Sequence, residues 1–117
     1  MPLDSTTRVQ LKDGERERVR QYASPLTYSL ECLYRLWLSG PHSRMTLHDQ
    51  LAVAETANPG AFFDKEETLP LLVDEQGYTR IDRTRGKPVM ACLEPKRNEF
   101  MEYYISHLVG QRLGMKP

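Results

Sequence analysis

The chain has 117 residues, with 16 basic and 16 acidic side chains, zero net charge and 39% hydrophobic residues, a composition that fits one globular domain around a single core. Balanced charge gives no field to draw it onto nucleic acid or an anionic membrane, so neither is expected as a partner. No apolar run approaches the roughly 20 residues that span a bilayer, and Met1-Pro2-Leu3-Asp4 lacks the basic and apolar regions of a secretory signal.

Residues 1–9 carry no complete element and read like the end of something begun earlier. Asp13-Gly14 is a turn signal. Glu15 to Gln21 then forms a short helix with its acids early, where the helix dipole favours them. In it Arg16, Arg18 and Arg20 alternate with Glu15 and Glu17, the pattern of a solvated face. Ser24-Pro25 opens a second helix, with serine as N-cap and proline at the first helical position. It runs to Leu38 and ends at Ser39-Gly40-Pro41. Leu26, Leu30, Leu33 and Trp37 form its apolar stripe, and Glu31 pairs with Arg35 at i,i+4. Apolar residues then spread around most of the helix through Cys32, Tyr34, Leu36 and Leu38, which predicts burial on more than one side.

A third helix begins near Thr46 or His48 and runs to Ala57 before Asn58-Pro59-Gly60. The period then changes. Thr68–Asp74, Tyr78–Asp82 and Pro88–Leu93 read as three strands, joined by turns at Glu75-Gln76-Gly77 and Arg83–Lys87. Such short connections call for an antiparallel meander. Lys96 to Leu113 closes the chain as an amphipathic helix with Phe100, Tyr103 or Tyr104, His107 and Leu108 on one face. Cys32 and Cys92 each sit in an apolar run, where free cysteine behaves as a small buried hydrophobe. They lack zinc or redox spacing. Buried thiols are compatible with a reducing compartment, so cytoplasm is the expected location.

His48-Asp49 is the one place where two chemically useful side chains stand together beside a helix start. Thr46-x-x-Asp49 also fits a capping box with aspartate in place of glutamate. Spacing alone leaves a cap and a functional pair both open.

The segment Leu47-His48-Asp49-Gln50-Leu51-Ala52-Val53-Ala54 closely resembles the Leu-His-Asp-Pro-Leu-Ala-Val-Ala segment of inosine/uridine-preferring nucleoside hydrolases. Met1-Pro2-Leu3-Asp4-Ser5-Thr6 resembles the Leu-Asp-x-Thr turn that follows a core strand in that family. Ser24-Pro25-Leu26 opens a helix at the family's distance. The strands from Leu69 to Asp82, the Arg85-Gly86-Lys87-Pro88 turn, the strand Val89–Glu94 and the last helix with Phe100 follow in the family's order. The likeness spans essentially the whole chain. It implies the C-terminal part of an α/β fold: residues 1–117 as a single partial domain, helices followed by a three-stranded antiparallel meander and a C-terminal helix.

The resemblance also implies roles. Hydrolysis of an N-ribosidic bond leaves electron density on the departing base, and a histidine titrating near neutral pH suits proton donation to it, which is the role implied for His48. The family's aspartate after this histidine ligates a calcium ion that polarises the attacking water, which makes Asp49 a metal ligand. Tyr34 and Trp37 fall where the family places aromatics near the nucleobase, a role that stands beside ordinary core packing. The implied partner is an inosine- or uridine-like nucleoside. His42 and His107 have no such matches and read as surface and helix-packing residues.

Two departures bear on activity. Gln50 stands where the family usually has proline, which costs only pre-organisation. Calcium takes about six to eight oxygens, and the aspartate-rich Asp-x-Asp-x-Gly-x-Asp-Asp motif that supplies most of them in the family, together with its base, is not in this sequence. The family's ribose-binding asparagine and glutamate are missing as well. The chain is therefore expected to be inactive alone, as a gene fragment or one half of a split enzyme completed by an N-terminal polypeptide. The alternative is a non-catalytic interaction module. The expected protein partner is the N-terminal polypeptide or a second copy of the chain in a homo-oligomer.

Overall fold

The computed structural model describes residues 1–42 and 44–111. In chain order these form α1 (Leu3–Thr6), β1 (Gln10–Leu11), α2 (Asp13–Gln21), α3 (Pro25–Leu38), β2 (Met45–Thr46), α4 (His48–Ala57), β3 (Phe63–Val73), β4 (Thr79–Ile81), β5 (Lys87–Pro95) and α5 (Arg97–Val109). The architecture is mixed α/β, with a three-stranded antiparallel sheet and a C-terminal helix. The predicted last turn of that helix, beyond Gln111, lies outside the described residues. No helix among the described residues is long and apolar enough to cross a membrane.

Ser24 and Pro25 set the start of α3 as their chemistry dictates. The Ser24 hydroxyl accepts from the Thr27 N–H, and the Thr27 hydroxyl accepts in turn from the Ser24 N–H at 3.0 Å. The helix ends at Leu38, as predicted. Its buried face is only partly the predicted one, for Leu30 of the apolar stripe packs against the core. Thr27, Glu31 and Tyr34 point inward, while Leu33, Leu36 and Trp37 are 57%, 71% and 44% exposed. The neighbours explain the choice, because α2 offers a guanidinium and α5 a phenol. Arg16 binds Glu31 through Nη2 at 2.7 Å and Nε at 3.2 Å, and the Tyr34 and Tyr104 hydroxyls meet at 2.7 Å. Arg16 is therefore a docking residue rather than part of a solvated face. Cys32, expected inside, is exposed; Cys92 is buried.

Helix α2 starts earlier than predicted, with Asp13-Gly14 as its first turn, because Glu15 reaches back to accept from the Lys12 N–H at 2.9 Å. Arg97 then fastens the end of the chain to its beginning, binding Glu15 and donating to Gln10 O at 2.6 Å. Between these helices Val9, Leu47, Leu51 and Phe100 are almost fully buried. Each such side chain contributes about 1.5–3 kcal/mol relative to exposure.

The sheet is antiparallel, but its order is β4-β3-β5 and not the sequential order of a meander. Strand β3 pairs along Phe63–Leu71 with Pro95–Lys87 of β5, and along Leu71–Val73 with Ile81–Thr79 of β4. Pro70, lacking an N–H, accepts from Asp82 N at 2.9 Å, and the chain then passes close over it at Gly86. The molecule measures 53 × 36 × 24 Å with a radius of gyration of 17.1 Å, against about 13 Å for a compact chain of this length.

Candidate functional site

His48 is the first residue of α4, and three contacts determine what stands beside it. The Leu47 N–H donates to Val9 O at 2.9 Å, continuing the β1–β2 pairing of Gln10 with Thr46. The Ser5 hydroxyl donates to Leu93 O at 2.5 Å, which fastens α1 to β5. Thr6, almost fully buried, then faces the imidazole, with its Oγ1 2.6 Å from His48 Nδ1. The segments Leu3-Asp4-Ser5-Thr6 and Leu47-His48-Asp49 thus meet across 42 residues of sequence. Nothing in the sequence around Thr6 gives its hydroxyl a partner.

The anticipated Thr46–Asp49 capping box does not form. Thr46 is committed to β2, the N-cap is Leu47, and no side chain caps the helix. Asp49 is exposed in the first turn of α4, where its charge still favours the helix dipole. No set of three His, Cys, Asp or Glu donors converges on it among the described residues. One exposed carboxylate does not meet the oxygen count of calcium, so these residues do not by themselves fit the ion.

The described residues bring one such set together elsewhere. Glu55 of α4, Glu66 of β3 and Cys92 of β5 place ligand atoms within 4.8 Å of one another. Cys92 Sγ lies 3.8 Å from Oε1 of each glutamate. The neighbouring Glu55 carboxyl holds Glu66 above its usual range by hydrogen bonding to the protonated form. Burial, followed by the two glutamate charges, raises the Cys92 thiol. Glu55 Oε1 accepts from the Gly60 N–H at 2.9 Å, while the buried Oε2 has no partner among the described residues. A mixed set of two carboxyls and a thiol is not the all-oxygen set that calcium takes.

Neither the protein-family models nor the curated proteins contain a match to this chain.

The two aromatics singled out from sequence occupy different settings. Tyr34 lies in the core with its hydroxyl on Tyr104, and burial raises both phenols, Tyr34 further than Tyr104. Trp37 stacks on His42, with ring centroids 3.9 Å apart and planes 8° from parallel, and its Nε1 donates to Arg44 O at 3.4 Å. Helix α3 packs on α2, α5 and β2, whereas His48 turns toward α1. His107, expected on the packed face of α5, is exposed, with Nδ1 2.8 Å from Tyr103 O.

Proposed function

We propose that this chain is the C-terminal part of a cytoplasmic, calcium-dependent nucleoside N-ribohydrolase, with His48 as the acid that protonates the leaving base, and that it is inactive by itself. The observation that carries this reading is the meeting of Thr6 with His48. Chance similarity in two short motifs gives no reason for them to touch, whereas parts of one site must. In the reaction the C1′–N bond breaks with its electron pair passing to the base, and His48 supplies the proton the base then needs. Asp49 would hold the calcium ion through one carboxylate, and the other oxygens would have to come from the aspartate-rich motif on another polypeptide segment.

The test is ribose release from inosine and uridine with calcium present. The chain alone is expected to release none. Supplied with a polypeptide carrying the aspartate-rich motif, it is expected to turn over, and His48→Asn should then lower kcat by about 10²–10⁴-fold. Turnover by the chain alone overturns its incompleteness; full activity of the complemented variant overturns the role of His48.

A second reading, a non-catalytic interaction module, draws on the exposed Leu33, Leu36 and Trp37 of α3. A patch of this kind fits the apolar side of a partner element. The occupant consistent with the first reading is the same N-terminal polypeptide. If the chain remains a monodisperse monomer when mixed with it, this reading fails.

A further inference from the structure

We infer that Glu55 of α4, Glu66 of β3 and Cys92 of β5 form a site for a borderline-soft divalent cation of the zinc class. Local structure builds the donor set. Glu66 and Cys92 are direct partners across the antiparallel β3–β5 pair, and directly paired residues present their side chains on the same face of a sheet. The register shifts just before Glu66, and such an irregularity re-aims the side chains beside it. Helix α4 supplies Glu55, so that ligand atoms of all three residues lie within 4.8 Å of one another. Cys92 Sγ stands 3.8 Å from Oε1 of each glutamate. Around a tetrahedral zinc, with Zn–S about 2.3 Å and Zn–O about 2.0–2.2 Å, sulfur and oxygen lie roughly 3.5–3.7 Å apart. Closing on the ion therefore asks for only a small inward movement.

Glu55 separates this cluster from an ordinary acidic surface. Gly60, in the left-handed region with φ at 81° in the turn after α4, donates its N–H to Glu55 Oε1 at 2.9 Å. That bond orients the carboxyl, and its other oxygen, Oε2, is buried with no partner among the described residues. A buried acceptor left unpaired is costly. No lysine or arginine among the described residues pairs with Glu55 or Glu66, so the protein supplies no positive charge to the two carboxyls. A cation meets both needs, taking a lone pair of Oε2 and offsetting the paired carboxylates. The thiol decides which cation. Cys92 is 7% exposed and gives the soft donor; calcium and magnesium take oxygen, whereas a thiolate beside carboxylates suits zinc. Coordination sends the thiol proton to solvent, because the thiolate is the ligand. Glu66 is exposed, which leaves a side where water completes four-coordination. The site ties α4 to the sheet, and it does not depend on the ribohydrolase reading.

The experiment adds cobalt(II), and separately zinc, to the full reduced chain after a chelator has stripped it of metal. Cobalt bound through a thiolate gives a sulfur-to-metal charge-transfer band that carboxylates alone do not. The wild-type chain is expected to take up one cobalt with that band, and zinc should displace it. Cys92→Ser should abolish the band, whereas Cys32→Ser, which alters the exposed thiol, should keep it. In calorimetric titration Glu55→Gln and Glu66→Gln should each weaken zinc binding by at least the about 10–100-fold that loss of a supporting residue costs a metal site. Glu66 is exposed, so Glu66→Gln carries the test if Cys92→Ser does not fold. Zinc should also raise the urea midpoint of the wild-type chain and not that of Glu66→Gln. A wild-type chain without the band, a band that survives Cys92→Ser, or a zinc affinity that neither glutamate changes overturns the inference and marks any binding as adventitious. Each of those results leaves the ribohydrolase reading standing.

Discussion

Replacing Arg16 with methionine removes the guanidinium from Glu31 while keeping much of the aliphatic stem that covers α3. The Glu31 side chain is 10% exposed and that of Arg16 28%. The remaining partner, Arg35, is 69% exposed and reaches Glu31 through one nitrogen at 3.2 Å. Breaking a fully buried pair costs about 3–5 kcal/mol, whereas an exposed pair is worth about 0.2–1 kcal/mol. With one partner inside and the other at the rim, Arg16→Met should cost about 2 kcal/mol, close to 8 °C in Tm for a chain of this size. Urea denaturation followed by circular dichroism measures it. Most of the loss comes from leaving a carboxylate uncompensated, so Arg16→Met with Glu31→Leu should recover to within about 1 kcal/mol of wild type. The pH dependence has a definite sign. The hydrogen bond from Arg16 lowers the Glu31 pKa from 4.5, outweighing the opposing effect of burial. The pair's contribution is therefore complete above the unfolded value of 4.5 and is lost as pH falls through the lower folded value. Arg16→Met should flatten that acid limb. A loss below about 0.5 kcal/mol, or a double variant as weak as the sum of the singles, would refute the claim that a polar face docks α3.

Two further outcomes follow from the sheet. A Cβ at Gly86 meets Asp82 O and lies 2.5 Å from the Pro70 carbonyl carbon. All of these are backbone atoms, so Gly86→Ala should cost about 1–3 kcal/mol and speed amide exchange at Leu71 and Val89. Exchange at the wild-type rate would mean that the chain does not cross so tightly over Pro70. At Glu66 the sign is opposite to that at Glu31. Its folded pKa is raised above 4.5 by Glu55, so its contribution is complete below the unfolded value and is lost as pH rises through the folded one. Glu66→Gln should therefore raise the urea midpoint at about pH 7 and leave it unchanged at about pH 3. A lower midpoint at neutral pH would place Glu66 away from Glu55.

The boundaries of α3 were legible because serine, proline and the Ser39-Gly40 stop act locally. Its inward face was not, because apolar residues lie nearly all round it and only the partners decide. Arg16 and Tyr104 select Glu31 and Tyr34, and no periodicity in residues 25–38 contains that information. The first half of β3 failed for a related reason. Lys65, Glu66 and Glu67 precede the predicted strand, yet they are held extended by pairing with Ala91–Glu94, a contact far away in sequence. The two-residue strands β1 and β2 are too short for any alternation to register. At the candidate site, the resemblance singled out His48 and Asp49, while the residue that touches His48 came only from the fold.

The two halves of His48-Asp49 differ in what they demand of their surroundings. A proton donor needs a neighbour to fix its orientation, and Thr6 of α1 meets the His48 ring at 2.6 Å. A calcium ligand needs several more oxygens converging within about 2.3–2.6 Å of the ion, and Asp49 stands exposed without them among the described residues. On the ribohydrolase reading, one polypeptide segment would therefore carry an oriented acid while carrying only a fraction of a metal site. That asymmetry is what the ribohydrolase reading requires of a C-terminal portion. On that reading, supplying the aspartate-rich segment should add the metal site without rebuilding the histidine, so the His48 ring signals in NMR should be the same before and after complementation. Ring signals that shift on complementation would mean that the acid, like the cation site, is assembled only in the complete enzyme.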